Sequence, residues 1–222
     1  MRRRNSIAIA VSMVLVVTRI VAAQSQTRLI QQIEPRGGQR GTSLELTLTG
    51  YGLGTARELI FYRPGLAASK LRPTIHDQEG KSTLRVTLAI ADDCPLGEHP
   101  IRVRSIGGIT SLHTFYVGPY PHLVEVDRVT TFEEPQPLPP NRTLRGSIGA
   151  VGEVDWFSVT LESGQRLAVD FQAVRLAQGL FDGHVAIFDP KGRRVAECDD
   201  TGLGSQDPLL SILVPAAGVY RV

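Results

Sequence analysis

Residues 44–49 read LELTLT, and residues 84–90 read LRVTLAI. In both stretches every second side chain is a large aliphatic one, and the side chains between them are mostly charged or hydroxyl-bearing. Successive side chains of a β-strand point to opposite faces of the sheet, so this alternation predicts two strands that each bury one face. These two runs indicate that the chain folds as β-sheet.

The same pattern continues on both sides of these runs, over residues 28–118. Further strands are predicted at residues 59–62, 101–104 and 112–117, and turn sequences such as Arg63-Pro64-Gly65 separate them. About seven short strands in roughly 90 residues are typical of an immunoglobulin-like sandwich.

Residues 119–141 differ in composition, because six of them are proline and several others are acidic. Proline cannot occupy a central strand, so we expect a semi-extended, acidic linker. Alternation resumes in residues 142–222 and predicts a second sandwich. Its expected strands cover residues 144–148, 157–161, 167–171, 185–189, 193–198, 209–214 and 219–222. The fold class is therefore predicted to be all-β, with two tandem β-sandwiches.

The first 23 residues have the features of a secretory signal peptide. Arg2, Arg3 and Arg4 precede an apolar run at residues 7–17, and small residues end the segment at Ala23. The uncharged stretch is shorter than the ~20 residues that a membrane-spanning helix needs. We therefore expect an exported protein, periplasmic, cell-surface or extracellular, with no membrane span in the mature chain.

Charge and cysteine content narrow the classes of partner. Four of the 24 basic residues and none of the 22 acidic ones lie in the first 23 residues, so the remainder is slightly acidic. This balance gives no support for a nucleic-acid partner. Cys94 and Cys198 lie far apart and outside any metal-binding spacing, which favours two independent thiols.

No familiar catalytic pattern occurs in the sequence. The five histidines form no HExxH motif, and no Gly-x-Ser-x-Gly elbow is present. The glycine-rich stretch at residues 50–54 leads into a strand rather than a helix, which predicts a turn and not a phosphate-binding loop. We therefore expect a protein that is not an enzyme.

Two sets of motifs resemble known families. Residues 33–42, IEPRGGQRGT, together with CPLGEH at 94–99 and FYVG at 115–118, resemble an IPT/TIG-type immunoglobulin-like domain. The second half is similar to the bacterial pre-peptidase C-terminal domain, which has a jelly-roll-like sandwich. The motifs that carry this similarity are GEVDWF at 152–157, GQRL at 164–167, FDPKG at 188–192 and AGVY at 217–220.

This resemblance implies an exported, non-catalytic pair of domains of the kind appended to bacterial proteases and large surface proteins. We expect a binding, adhesion or spacer module whose partner is a protein or an extracellular polymer. Two alternatives stay open at this point: an accessory fragment of a secreted protease, and a polysaccharide- or collagen-binding module.

The resemblance also implies candidate site residues. In some relatives a calcium ion is held by acids in the linker and by the aspartate before the aromatic pair, positions that correspond here to Glu125, Asp127 and Asp155. However, the family's Glu-Pro-Asn-Asn is replaced by DRVT at 127–130, which removes amide oxygens and adds a cation. We therefore expect weak or absent calcium binding and no other cofactor.

Two further expectations come from the strand pattern. Trp156 should point away from the side of Phe157, either as an exposed ligand platform or packed under a loop. A turn with glycine precedes both the strand at 101–104 and the strand at 219–222, but only the first is followed by another strand. This predicts an incomplete and marginally stable second sandwich with an open sheet edge. The uncovered side chains would be Leu210, Ile212 and Val214, or those on the opposite face of the strand at 209–214.

Overall fold

The computed structural model describes residues 28–78, 80–126, 130–176, 181–202 and 206–222. The predicted signal peptide lies outside these ranges. Within them the chain consists of strands, turns and loops, with one 3-10 turn at Val174–Leu176. The all-β prediction is therefore confirmed. No helix in the described ranges has the length and apolarity needed to cross a membrane.

The first sandwich is built from nine strands. In chain order they are β1 (Leu29–Glu34), β2 (Gly37–Gln39), β3 (Ser43–Tyr51), β4 (Ala56–Phe61), β5 (Leu66–Ile75), β6 (Lys81–Ile90), β7 (Gly97–Ser105), β8 (Gly108–Ile109) and β9 (His113–Gly118). One sheet has the order β1-β3-β6-β5, and the other has the order β2-β9-β7-β4 with β8 paired to β7.

The two runs of alternating residues pair directly with each other. Leu46 lies opposite Val86 and Leu48 opposite Leu84 in the antiparallel ladder of β3 and β6. All four side chains are fully buried. They belong to a core of fifteen buried residues among those described, and Phe115 of the opposite sheet is another member. The alternation therefore correctly identifies the inner face of this sheet.

Strand β5 was not expected from the sequence. It pairs with β6 at the edge of the sheet, and its register shifts between Ser69 and Arg72. Most of its side chains are exposed or half-buried. The irregularity interrupts the alternation and the edge position removes the need for an apolar face, so the strand carries no clear sequence pattern.

Residues 119–145 include the predicted linker, and we call them the connector; the described residues among them contain three short strands. These are β10 (His122–Val124), β11 (Gln136–Pro137) and β12 (Thr143–Arg145). Strands β10 and β12 pair in parallel, whereas β11 joins the second sandwich. β11 lies at the edge of its sheet, where a proline such as Pro137 is tolerated.

The second sandwich continues from the connector. Its strands are β13 (Phe157–Leu161), β14 (Arg166–Asp170), β15 (Val185–Phe188), β16 (Arg194–Cys198), β17 (Leu209–Leu213) and β18 (Gly218–Arg221). A five-stranded sheet of order β11-β13-β18-β15-β16 faces the pair β14-β17. Eight buried residues form its core, with Ile187 and Tyr220 completely enclosed.

β18 pairs with β13 on one side and with β15 on the other, so β18 itself has no open edge. In the ladders of the described residues β17 pairs only with β14, so β17 is an edge strand. The incompleteness of the second sandwich stays a prediction. On β17, Leu210 is 8% exposed, while Leu209 and Leu213 on its outer face are 52% and 63% exposed. The uncovered apolar side chains are thus Leu209 and Leu213 on the outer face of β17. Val214, the residue after the strand, is buried.

Candidate functional site

Three carboxylates surround the loop that joins the connector to the second sandwich. Glu125 follows β10, and its carboxylate accepts a hydrogen bond of 2.9 Å from the Ser147 amide. Glu153 accepts bonds of 2.7 and 2.8 Å from the amides of Gly149 and Ala150. These two side chains fix the loop through its backbone.

Asp155 completes this carboxylate cluster. Partial burial raises the pKa of Asp155 to about 6, and the nearby carboxylates of Glu125 and Glu153 add to the effect. Neighbouring like charges disfavour the ionisation of both groups, so Glu125 opposes the deprotonation of Asp155. The structure therefore brings together two of the three residues that the family resemblance indicated.

The third of those residues, Asp127, lies outside the described residues. Calcium needs six to eight oxygen ligands. Across the described parts of the chain, no group of three histidine, cysteine, aspartate or glutamate side chains has an arrangement that could hold a metal ion. Glu153 is already bonded to the loop, and the expectation of weak or absent calcium binding stays a prediction.

Trp156 lies next to the carboxylate cluster and packs against two other aromatic rings. Its ring centre is 5.0 Å from that of Phe132, edge-on, and 5.3 Å from that of Phe188. We call these three residues the aromatic cluster. The guanidinium of Arg221 stacks 4.5 Å from the ring centre of Phe132 and donates a 2.7 Å hydrogen bond to its carbonyl.

The aromatic cluster attaches the connector to the outer face of the five-stranded sheet. The Trp156 amide donates to the Thr130 hydroxyl at 2.7 Å, which fixes the same stretch. Trp156 is half-buried, with part of its surface available to a ligand. Its role as a binding residue stays a prediction. Phe132 was missed because it is a single aromatic residue in a proline-rich segment without periodicity.

A buried aspartate organises the 3-10 turn at Val174–Leu176. The carboxylate of Asp207 accepts bonds of 2.8 to 3.0 Å from the amides of Ala173, Val174 and Arg175, and another from the Arg175 side chain. Burial opposes its ionisation, but these hydrogen bonds outweigh the burial and lower the pKa of Asp207. The turn lies beside β9, so Asp207 supports a contact between the sandwiches.

The buried histidines His99 and His113 each bond a backbone carbonyl through one ring nitrogen. The Nε2 atom of His99 is 2.6 Å from the Pro95 carbonyl, which assigns it as a donor. Cys94 lies 3.7 Å from the same nitrogen, but burial raises the pKa of its thiol. His113 likewise bonds the Ile30 carbonyl at 2.6 Å, and burial lowers its pKa. These groups maintain the first sandwich.

An exposed pair consists of His76 and Thr83, whose side chains are 2.7 Å apart. Thr83 lies on the outer face of β6, and the pair lines neither the cavity beside Pro35 and His122 nor the one beside Pro137 and Ser158. Cys94 and Cys198 are both unpaired, as expected, although Cys198 is only half-buried.

Comparison with known proteins supports part of the family resemblance. Residues 153–222 match the family described as bacterial pre-peptidase C-terminal domain. This confirms that domain in the second half of the chain. The match does not extend to the first sandwich, where the IPT/TIG resemblance stays a prediction. No curated protein matches this chain.

Solved structures give distant similarities. A glucan-utilisation protein of Bacteroides ovatus, SGBP-B in complex with a mixed-linkage heptasaccharide, is 8% identical with a TM-score of 0.28 and covers 87% of this chain. The Yersinia pseudotuberculosis adhesin InvE is 14% identical with a TM-score of 0.28 and covers 85%. Lac15 from a marine microbial metagenome is 12% identical with a TM-score of 0.25 and also covers 85%. The matched regions are 38%, 49% and 50% of those chains.

Proposed function

We propose that this chain is a non-catalytic binding or spacer module of an exported bacterial protein. The observation that supports this proposal most is the pre-peptidase C-terminal domain at residues 153–222. It agrees with the chemistry of the described residues, because buried polar side chains such as Asp207, His99 and His113 are engaged with backbone groups. Their hydrogen bonds stabilise the sandwiches and leave them poorly placed to act on a substrate.

The connector suits a module that holds two domains in a defined arrangement. Arg145 of β12 forms an ion pair with Glu34 of the first sandwich, and Gln39 donates to the Pro119 carbonyl at 3.3 Å. At its other end, β11 pairs with β13 and Phe132 packs in the aromatic cluster. The connector therefore contacts both sandwiches, as a spacer requires.

A polymer-binding role is the second candidate, and the half-exposed aromatic cluster favours it. Aromatic side chains offer large apolar area at low entropic cost, which suits contact with sugar rings or with proline-rich collagen. Trp156 is the residue we expect to make this contact. The alternative of an accessory domain of a secreted protease requires a catalytic domain elsewhere and predicts no polymer binding by itself.

Co-sedimentation distinguishes the polymer-binding role from the spacer and protease-accessory roles. The purified chain is mixed with insoluble cellulose, chitin or collagen fibrils, and the pellet is compared for the native chain, Trp156→Leu and the matched exposed-aromatic control Tyr62→Leu. Retention that Trp156→Leu abolishes and Tyr62→Leu preserves supports the binding role. No retention on any of these polymers speaks against the polymer-binding role and supports the spacer or protease-accessory role. Chain-dependent release of soluble sugar or peptide from a pellet would overturn the proposal as a whole.

A further inference from the structure

A cavity separates the connector from the first sandwich. Its volume is about 300 Å³, and its lining includes Pro35 and Leu44 from the first sandwich together with Leu123, His122 and Arg145 from the connector. His122 pairs with Thr143 and Val124 pairs with Arg145 in the β10–β12 ladder. Side chains two residues apart on a strand share a face, so His122 and Arg145 lie on the same side of this ladder.

Arg145 joins this face to the first sandwich. Its guanidinium lies 2.5 Å from the Glu34 carboxylate, and the two side chains are 38% and 45% exposed. One carboxylate therefore balances one cation at the junction. Glu125, which follows β10, lies on the opposite side of the ladder by alternation and accepts a hydrogen bond from the Ser147 amide.

The surroundings of His122 favour the neutral form of its ring. Its Nε2 atom is buried and has no hydrogen-bond partner. A protonated ring would carry a donor there without an acceptor, which is costly for a buried charged group. Burial and the adjacent Arg145 both lower the pKa of His122, and Arg145 is the charged group that acts on it among the described residues.

We propose that His122 is a proton-operated latch that holds the connector on the first sandwich at neutral pH and releases it in mildly acidic surroundings. Protonation places a second positive charge beside Arg145, and it buries an N–H without an acceptor. Separation of the ladder from the first sandwich hydrates the ring and relieves this repulsion. The turn beside β9 then remains as the other contact between the sandwiches.

The direction of the effect follows from linkage. The pKa of His122 is lower in the closed state than in the open state. The closed state is therefore favoured above the ordinary histidine pKa, and this preference is lost as the pH falls below that value. Each unit by which closure lowers this pKa changes the ratio of open to closed states tenfold. The latch therefore opens as the pH falls below the ordinary histidine pKa of about 6.5. The pKa of Asp155 is raised to about 6, so Asp155 changes its charge in the same pH range. The variant Asp155→Asn distinguishes its effect from that of His122.

Hydrogen exchange of the β10–β12 amides measures the latch directly. The amides of Thr143 and Glu125 bond the carbonyls of Pro121 and Arg145. A two-stranded ladder without packing support is only marginally stable, so release exposes both amides. In the intact chain we expect their protection factors, corrected for intrinsic exchange, to fall about tenfold or more between pH 7.5 and 5, while β3 amides keep theirs.

Three variants show which residue causes the loss of amide protection at low pH. His122→Gln keeps a neutral polar side chain and should retain full protection at pH 5. The exposed-histidine control His184→Gln and the variant Asp155→Asn should both respond as the native chain does. Loss of protection in His122→Gln equal to that of the native chain would overturn the proposal, as would unchanged protection in the native chain.

The titration of the His122 ring itself provides a test that does not depend on any variant. The C2 proton of His122 in the native chain should titrate below pH 6.5, with the same midpoint as the amide signals of β10 and β12. A His122 pKa at or above 6.5 would contradict the latch.

Discussion

Asp155 is the residue whose ionisation most directly opposes the fold. Its pKa is raised from 3.8 to about 6 by burial and by Glu125, so its favourable contribution is complete at about pH 4 and is lost as the pH rises through 6. Asp155→Asn imitates the protonated form. We expect it to increase the free energy of unfolding by about 1 kcal/mol at pH 7.5, discounted for partial exposure, with the gain vanishing towards pH 4.

Thermal unfolding of the native chain and of Asp155→Asn between pH 4 and 7.5 measures the difference in their free energies of unfolding. Glu162→Gln, an exposed carboxylate change nearby in the chain, serves as the control and should show no such pH dependence. A stabilisation by Asp155→Asn that is equal at both ends of the range would be inconsistent with this electrostatic account. In the same assay calcium should cause little or no shift, whereas a micromolar calcium site lost on Asp155→Ala would show that the chain is a calcium binder.

Asp207 acts in the opposite direction. Its pKa is lowered by hydrogen bonds that outweigh its burial, so the stability it provides is present at neutral pH and disappears as the pH falls below its ordinary value near 3.8. Asp207→Asn cannot accept all four bonds and should cost about 2 kcal/mol at pH 7. Urea unfolding checks this, with the exposed Asp200→Asn as the control. An equal effect of both substitutions would refute the capping role.

At the scale of elements, the connector depends on the aromatic cluster. Phe132→Ala removes the edge-on contacts to Trp156 and Phe188 and the stacking of Arg221. We expect a loss of about 1–3 kcal/mol in the free energy of unfolding of the second sandwich. The indole fluorescence of Trp156, the chain's single tryptophan, should shift to longer wavelength. Tyr62→Ala is the control, and unchanged emission in Phe132→Ala would argue against the contact.

Strands were predictable from sequence where one face had to be buried, and much less so elsewhere. β3 and β6 alternate over their whole lengths because both lie inside a sheet with one apolar face. β5 is an irregular edge strand, and β11 is two residues long, so neither leaves a periodic signal. Sequence reasoning indicated Glu125 and Asp155 through the family resemblance. It noted Asp207 only as one of several acids around a glycine-rich loop and did not predict its capping role, because the amides that Asp207 caps lie more than thirty residues away.

For the whole molecule, the two sandwiches differ in the size of their cores. Among the described residues the first has fifteen buried core members and the second has eight. We therefore expect calorimetry at pH 7.5 to resolve two transitions, with the second sandwich unfolding at the lower temperature. The Asp155→Asn and Phe132→Ala substitutions should move only that lower transition. A single transition that both substitutions shift equally would indicate one cooperative unit.

A search for reaction products tests whether the chain binds or spaces without catalysing a reaction. Purified chain is incubated with casein, gelatin, cellulose and chitin, and soluble peptides and sugars are measured by mass spectrometry. We expect no product above the level measured without protein. Product that appears with the native chain and disappears with His76→Ala, which removes the histidine of the exposed His76–Thr83 pair, would contradict this expectation.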